Sequence, residues 1–329
     1  MKNHRQKMVT VLLGALLAEI VVAAPMVYIP LGLGNQVIAI DGATDAIKAS
    51  YKGVENSHGI VATPDGEYLV AGSLKQDEPK TGSEQATSNS KLYLIHPQHG
   101  HVMSTIPVDG WTHHQAITPD GKYVLSTHGS RGYVSVVDLE TNQVSQVIET
   151  GISPNYTIVS ADGKTAFVSN TGSNTISELN IDSWTVTRTL EGGPGPEHLV
   201  FSGDEQTIYV TNPRAGIVSS ISRRSGKVEN SYEIGKAVHG LDVGDDGNTL
   251  YVSSKKDNKL VAIDGKTGTR KELELSPSPY HLNTITGTGK VYVSSREKPI
   301  IWVVDQKEFE VVSTIDLPGG EAHQMTIVN

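Results

Sequence analysis

The 329-residue chain contains no cysteine, so it forms no disulfide, offers no thiolate to a metal and has no thiol nucleophile. Aromatic residues are scarce as well: they make up 5% of the chain, and only 3 of them are phenylalanine. The formal net charge of −9 leaves no excess of basic residues, so we expect no nucleic-acid partner. The sequence also lacks a Gly-rich phosphate loop and a nucleophile elbow. Thiol chemistry is thereby excluded, and nucleotide binding is disfavoured.

The first 24 residues differ from the rest of the chain. A basic start is followed by an apolar run over residues 8–24 that only Glu19 interrupts, and the run ends in small residues. This pattern predicts a secretory signal peptide over residues 1–24, cut near Ala23 or Ala24. The alternative is an uncleaved N-terminal anchor, which needs about 20 apolar residues. In both cases we expect residues 25–329 to lie in the periplasm or outside the cell; with the signal peptide removed, we expect no membrane span in the mature chain.

Internal repeats dominate the rest of the sequence. Segments such as HQAITPDGKYVLSTH (114–128) and HGLDVGDDGNTLYVSS (239–254) are versions of one hairpin, in which two apolar pieces flank a Gly-containing turn. The repeats start 41 to 43 residues apart after a first interval of 55. The long first interval contains the polar stretch 75–91, which we interpret as an inserted surface loop. The starts are His58, His113, Asn155, His198, His239, His281 and His323.

Each repeat contains four strand-like pieces separated by turns, as in residues 155–190. Four antiparallel strands in about 42 residues are typical of one β-propeller blade. The last repeat retains only its first strand, HQMTIVN, whereas residues 26–51 supply three strand-like pieces. The sequence therefore predicts an all-β fold: a seven-bladed β-propeller over residues 25–329, closed by pairing of the C-terminal strand with the N-terminal strands.

Residues 209–212 read YVTN, and IYVTN, LYVSS, VYVSS and AFVSN recur at this place in the repeats. The chain therefore resembles the YVTN-repeat propellers, a family of extracytoplasmic seven-bladed propellers. The resemblance covers residues 25–329 and implies the fold. It implies no single activity, because propellers of this kind serve many roles.

The repeat starts carry six of the 12 histidines. The first strand of a propeller blade lines the central channel, so six of these histidines and Asn155 should surround one mouth of the channel. His114 adds a second imidazole beside His113, and His128 reaches the same face from the following strand. A structural alternative is that repeat duplication copied a histidine that belongs to a turn. We expect a metal site formed by His58, His113, His114, His198, His239, His281 and His323.

Crowded imidazoles repel one another when protonated, so we expect them to be neutral near pH 7. Neutral imidazole is a common metal ligand. All-nitrogen ligation suits copper, zinc or nickel, and the affinity series places copper first. Few carboxylates lie near the ring positions, which argues against calcium and magnesium. The sequence thus favours copper, as one or more ions; zinc is the second choice and haem the third.

An inner ring of histidines with an adjacent His-His pair is similar to the propeller domain of nitrous oxide reductase and its relative thiocyanate dehydrogenase. In those proteins such a ring holds a multinuclear copper centre. The resemblance implies that His113 and His114 match the pair, while the other five predicted ligands match single histidines. This chain is shorter, lacks the cysteine-bearing copper domain of the reductase and has Asn155 at one ring position. Turnover would therefore need an external electron-transfer partner.

Basic residues occupy loops predicted on the face of the ring. A positive rim above a metal site attracts small anions. The structural alternative is that exposed loops carry charged residues because water solvates them. We expect six residues to contact the metal ligands or the substrate: Asn155, His128, Arg131, Arg214, Lys255 and Arg296.

Three functions follow as hypotheses. The first is an exported copper protein that carries out oxidoreductase chemistry on a small molecule or anion. The second is a periplasmic carrier or storage protein for copper or zinc, without turnover. The third is a protein-interaction scaffold. A further cluster in HPQHGH (96–101) is predicted on the opposite face as a solvated turn.

Overall fold

The computed structural model describes residues 24–77 and 89–329. The predicted signal peptide, except for its last residue, and residues 78–88 of the predicted inserted loop lie outside this part of the chain. Among the described residues, no helix has the length and apolar character needed to span a bilayer.

The described residues form 28 strands and one short 3₁₀ helix at Gly32–Gly34. The first fourteen strands are β1 (Met26–Leu31), β2 (Gln36–Asp41), β3 (Ala46–Lys52), β4 (Ser57–Ala62), β5 (Leu69–Ser73), β6 (Ser90–His96), β7 (His101–Val108), β8 (Gln115–Ile117), β9 (Tyr123–His128), β10 (Tyr133–Asp138), β11 (Gln143–Glu149), β12 (Pro154–Val159), β13 (Thr165–Asn170) and β14 (Thr175–Asn180). The others are β15 (Thr185–Glu191), β16 (Leu199–Phe201), β17 (Thr207–Asn212), β18 (Ile217–Ser222), β19 (Val228–Glu233), β20 (Val238–Val243), β21 (Thr249–Ser254), β22 (Lys259–Asp264), β23 (Arg270–Glu274), β24 (Pro279–Ile285), β25 (Lys290–Ser295), β26 (Ile300–Asp305), β27 (Glu310–Asp316) and β28 (Thr326–Val328).

These strands build seven four-stranded antiparallel sheets, one for each blade. Blade 1 has the order β28-β1-β2-β3, and blades 2 to 7 each use four consecutive strands from β4 onward. We call β4, β8, β12, β16, β20, β24 and β28 the inner strands. Inner strands of adjacent blades contact one another around the axis. The predicted all-β, seven-bladed propeller with four antiparallel strands per blade is confirmed.

The burial pattern along a blade explains why these residues form strands. The second and third strands are buried on both faces, as in β26, where the four central residues Ile301 to Val304 are buried. The outer strands are mostly exposed, and single half-buried or buried residues lie between exposed ones, as in β11. Between neighbouring blades the buried side chains form separate apolar clusters, one of which joins Ile29 and Ile38 of blade 1 to Tyr292 and Ile301 of blade 7. Packing between blades therefore stabilises the ring.

The ring closes as the sequence predicted. Strand β28 pairs antiparallel with β1, with Thr326 opposite Tyr28 and Val328 opposite Met26. An isolated bridge between Leu31 and Ala322 extends this pairing toward the axis. Blade 1 is thus built from both ends of the described chain, which leaves no inner sheet edge unpaired there.

Removal of residues 326–329 tests the closure. The truncation removes β28 from β1 and takes Ile327 away from the blade 1–blade 7 cluster. We expect the free energy of unfolding in urea to fall by about 2–4 kcal/mol, from a few lost hydrogen bonds and lost apolar burial. Removal of the exposed Asn329 alone is the control and should leave the urea midpoint unchanged. Equal midpoints for both truncations would contradict this role for β28.

Candidate metal centre

The seven predicted ligand histidines lie together at the axis, at the start of the inner strands. His58 contacts His113 and His323, with ring centroids 4.3 and 4.2 Å apart. His113 and His114 are 4.2 Å apart, and His198 and His239 are 4.5 Å apart. His281 has five of the other rings within 4.8 to 5.7 Å. We call these seven residues the histidine ring.

Glycines in the inner strands allow the rings to come this close. A Cβ atom at Gly59 would lie 2.6 Å from the backbone oxygen of His113 in the next blade. At Gly240 a Cβ atom would collide with the backbone oxygen of Tyr280, again in the next blade. Only a residue without a side chain fits at these two positions, which follow His58 and His239 directly. The His-Gly pairs in the repeats therefore serve the close approach of neighbouring blades.

Three groups of three histidines bring ligand nitrogens within 4.8 Å of one another. The groups are His58–His113–His114, His58–His281–His323 and His114–His198–His281. Any two of these triads share one histidine: His58, His114 or His281. Only one triad can therefore be used in full at a time if each imidazole supplies one ligand atom.

The histidine ring is buried and neutral. Six of its members are between 0 and 6% exposed, while His113 is partly exposed. Burial lowers the pKa of His113 to about 4 and the pKa values of His198 and His323 to about 3. Burial also takes the pKa of the other four members well below the ordinary value, with a smaller lowering from neighbouring histidines. Mutual repulsion, from which this neutrality was predicted, is the smaller cause, and desolvation is the larger one.

Five buried imidazole nitrogens of the histidine ring lack hydrogen-bond partners among the described residues. They are His58 Nδ1, His58 Nε2, His114 Nε2, His198 Nε2 and His323 Nδ1. A buried polar atom without a partner costs about 1–3 kcal/mol of stability. In each neutral imidazole one nitrogen carries a proton and the other a lone pair, and the lone pair is the electron donor that a bound ion requires. This arrangement fits a metal ligand set.

A carboxylate orients one member of the histidine ring. Glu197 Oε2 lies 3.2 Å from Nδ1 of His239, and Nε2 of His239 lies 3.4 Å from Nε2 of His281. Carboxylates that hold the second nitrogen of a ligand imidazole are a regular feature of metal sites. Two nitrogens bound to one ion at about 2.0–2.1 Å in tetrahedral geometry are separated by roughly 3.3 Å. The His239–His281 pair thus has a separation suited to a shared ion.

Tyr280 covers the side of the histidine ring formed by blades 6 and 7. Its ring stacks on His239 at 4.3 Å with an interplanar angle of 8°. The ammonium of Lys255 and the guanidinium of Arg296 lie 5.1 and 5.0 Å from the Tyr280 centroid. Arg296 is also paired with Glu321 at 2.9 Å. Burial lowers the pKa of Lys255, and the nearby Glu197 partly offsets this effect. Two of the predicted rim cations therefore lie against Tyr280, which itself stacks on a member of the histidine ring.

The other two predicted rim cations are held by residues of neighbouring loops. Arg131 pairs with Asp109 at 3.0 Å, and Arg214 donates to Asn174 Oδ1 at 3.2 Å. Neither of these contacts involves the histidine ring. Their role toward a small anion remains a prediction.

His128 has a structural role, which corrects the expectation that it contacts the metal ligands or the substrate. It is fully buried, with Nε2 2.8 Å from Ser135 Oγ and Nδ1 3.2 Å from the Gly110 backbone oxygen. Asn212 makes the matching bonds to Ser219 and Gly192. His128 therefore occupies the place of the last residue of YVTN and has no nitrogen left for a ligand.

Asn155 lies beside the ring: its carbonyl oxygen is 3.0 Å from Nδ1 of His114, and its Oδ1 is buried without a hydrogen-bond partner among the described residues.

Gln324, which was not predicted from the sequence, links blades 1, 2 and 3 near the axis. Its Oε1 accepts from Ile60 N at 3.2 Å and Gln115 N at 3.3 Å, and its Nε2 donates to Gln115 O at 3.0 Å. The sequence holds a signal for this link, because Gln115 and Gln324 each follow a ring histidine.

Residues 104–296 match the protein family described as "Lactonase, 7-bladed beta-propeller". No curated protein matches the chain. A putative 6-phosphogluconolactonase from Bacteroides fragilis is 14% identical, with a TM-score of 0.77 over 95% of this chain and 100% of that one. A periplasmic gluconolactonase from Pseudomonas aeruginosa is 18% identical, with a TM-score of 0.73 over 93% and 99% of the two chains.

A hydrazine synthase from Kuenenia stuttgartiensis is 19% identical, with a TM-score of 0.69 over 79% of this chain and 86% of that one. At these identities the likeness between the structures concerns the fold alone. The predicted resemblances to YVTN-repeat and copper propellers are not among these findings and remain predictions.

The pKa values of the ring predict how stability depends on pH. Each ring histidine has a pKa near 6.5 when unfolded and a much lower one when folded, so the unfolded state binds more protons between these values. We expect the free energy of unfolding of metal-free protein to fall from pH 7 to pH 5 by about 1–2 kcal/mol for each histidine that stays buried. Burial raises the pKa of Glu197, and of Asp242 to about 6, which acts in the opposite direction for two groups only.

Urea unfolding at several pH values between 7 and 5 checks this expectation. His198→Gln should reduce the slope of stability against pH by the share of one histidine. A free energy of unfolding that stays constant over this range would show that the ring does not remain neutral and buried.

Proposed function

We propose that this chain, which belongs to the seven-bladed β-propeller lactonase family, is an exported protein that binds copper in the histidine ring. Zinc is the second choice of metal. The observation that carries the proposal is the set of buried, unpartnered imidazole nitrogens at the axis. Neutral imidazoles that face one another without hydrogen-bond partners are stabilised by a shared ion. A site for an apolar ligand, or a channel filled with water, would not require them.

Copper is favoured by the donor set. The converging ligands are nitrogen atoms, and the two nearby carboxylates, Glu197 and Glu321, contact His239 and Arg296. Calcium and magnesium prefer oxygen ligands, so they fit poorly. Among divalent first-row metals, a nitrogen site binds copper most tightly.

The overlap of the triads limits how many ions bind tightly. One ion that uses all three histidines of a triad leaves each remaining triad with two. We therefore expect one tightly bound ion per chain, with further ions bound more weakly. If the bound copper turns over a small molecule or anion, an external partner must exchange electrons, because the chain has no cysteine-bearing copper domain. A ring that binds without turnover would act as a carrier or store.

Removal of single ring histidines tests metal binding. His281 belongs to two triads and His198 to one, so His281→Ala should weaken copper binding more than His198→Ala. Neither substitution touches the triad His58–His113–His114, whereas His58→Ala combined with His281→Ala breaks all three triads. Loss of an outer-shell partner alone costs about 10–100-fold in metal affinity, so the double substitution should cost at least this much. Competition with a chelator of known affinity measures the change, and metal analysis of purified protein gives the ratio of metal to chain.

Two histidine substitutions outside the ring serve as matched controls. His128→Asn restores the residue of YVTN, and His99→Ala alters an exposed histidine outside the ring. Both should bind copper like the wild type. Copper binding that survives the double substitution of His58 and His281 but is lost in His99→Ala would place the site elsewhere and overturn the proposal.

The Glu197–His239 pair favours a second candidate, hydrolysis of a lactone. Glu197 would orient His239, which would take a proton from water as the water oxygen attacks the lactone carbonyl carbon. The ring C–O bond then breaks, and the proton passes to the leaving alkoxide to give a hydroxy acid. Membership of a lactonase family supports this candidate, and Lys255 and Arg296 provide positive charge for a polar substrate.

A panel of aldonolactones, tested with metal-free and metal-loaded protein, separates the two candidates. If the protein is a lactonase, Glu197→Gln should lower kcat by about 100-fold or more, because general-base assistance is lost. Glu321→Gln, which removes the carboxylate paired with Arg296, is the matched control and should retain most of the activity. Hydrolysis by the wild type at the spontaneous rate would rule this candidate out.

A further inference from the structure

Gln324 and Gln115 bridge the inner strands directly after the ring histidines of blades 1 and 3. Both residues are buried, at 8 and 1% exposure. The Gln324 amide bonds to backbone atoms of β4 and to both backbone polar atoms of Gln115. A side chain held by three hydrogen bonds is fixed in place. An ion that approached along the channel from this side would have to displace this bridge.

The side above blades 6 and 7 is also covered. Tyr280 is only 6% exposed, lies flat on His239 and contacts the edges of His281 and His323. Lys255 and Arg296 lie against the Tyr280 ring and place two positive charges over this part of the site. A cation that approached here would meet both repulsion and an aromatic cover.

The side between blades 3 and 4 differs in two ways. His113 is the one member of the histidine ring that is partly exposed. In the next blade the repeat carries Asn155 where six other blades carry a ring histidine, and Asn155 is partly exposed as well. The run of imidazoles is thus interrupted next to the one ring member that is partly exposed.

We infer that metal ions enter and leave the histidine ring on the side of Asn155, with His113 as the first ring ligand that they meet. This inference rests on the proposed metal-binding function. A hydrated ion exchanges its waters for ligands one at a time, so a partly exposed imidazole can bind it before the buried triads do. Asn155 acts here as a positioning residue that keeps the entry open and is not itself a ligand.

Exchange kinetics test the inference with copper(II) alone and, separately, zinc(II) alone as probes. Uptake is followed after mixing with metal-free protein, and release is followed after mixing loaded protein with a chromophoric chelator. Asn155→Ala should raise uptake and release rates by similar factors and leave Kd unchanged. Asn155→His completes the run of imidazoles and should slow both rates by about tenfold, the effect of a barrier roughly 1.4 kcal/mol higher. His99→Ala is the control and should match the wild type.

A comparison of two ring ligands sharpens the test. His113 and His323 each belong to a single triad, so loss of either weakens binding. If His113 is the first ligand, His113→Ala should lower the uptake rate more than His323→Ala does. Rates that respond to Gln324→Ala but not to the Asn155 variants would place entry at the opposite side and overturn the inference. An increase in Kd with Asn155→Ala would show that Asn155 is a ligand, which also overturns it. Wild-type protein that binds neither ion would instead refute the proposed function.

Discussion

Close contact between neighbouring inner strands is the constraint on which the rest of the structure depends. Seven blades point their first strands at one axis, and residues at the same repeat position meet there although they are separated by more than 40 residues in sequence. Gly59 and Gly240 allow the backbones to approach so closely that neighbouring imidazoles touch. Burial of the rings follows directly from this packing, and their neutrality follows from burial.

A buried cluster of neutral imidazoles is costly when its nitrogens lack partners, and this cost links the fold to the proposed function. The charged groups around the ring largely compensate one another: Glu321 pairs with Arg296, while Glu197 lies beside His239 and is attracted to Lys255. The nitrogen lone pairs of the ring are not compensated in this way. An ion bound by these nitrogens would satisfy several of them at once. Metal binding would therefore also raise the free energy of unfolding.

Much of this structure can be predicted from the sequence, because equivalent positions in the repeats lie at equivalent places around the axis. The number of blades could be predicted from the spacing of the repeats. Closure by β28 could be predicted from the incomplete last unit. The position of each histidine at the start of an inner strand sufficed to bring the seven rings together. Side-chain partners were harder to predict, because they depend on which neighbour lies within reach. His128 resembled a ligand in sequence yet bonds to Ser135, and Gln324 contacts residues more than 200 positions away. The identity of the metal depends on the affinity of the site and on which metals are available. The spacing of the repeats has little influence on either.

The most direct test of the central claim is X-ray absorption at the copper edge of protein loaded with one equivalent of copper. We predict a first shell of nitrogen at about 2.0 Å together with the outer-shell scattering of at least three imidazoles, both lost when His58→Ala and His281→Ala are combined, because together they break all three triads. A first shell made of water or carboxylate oxygen, or a spectrum that the double substitution leaves unchanged, would contradict this claim.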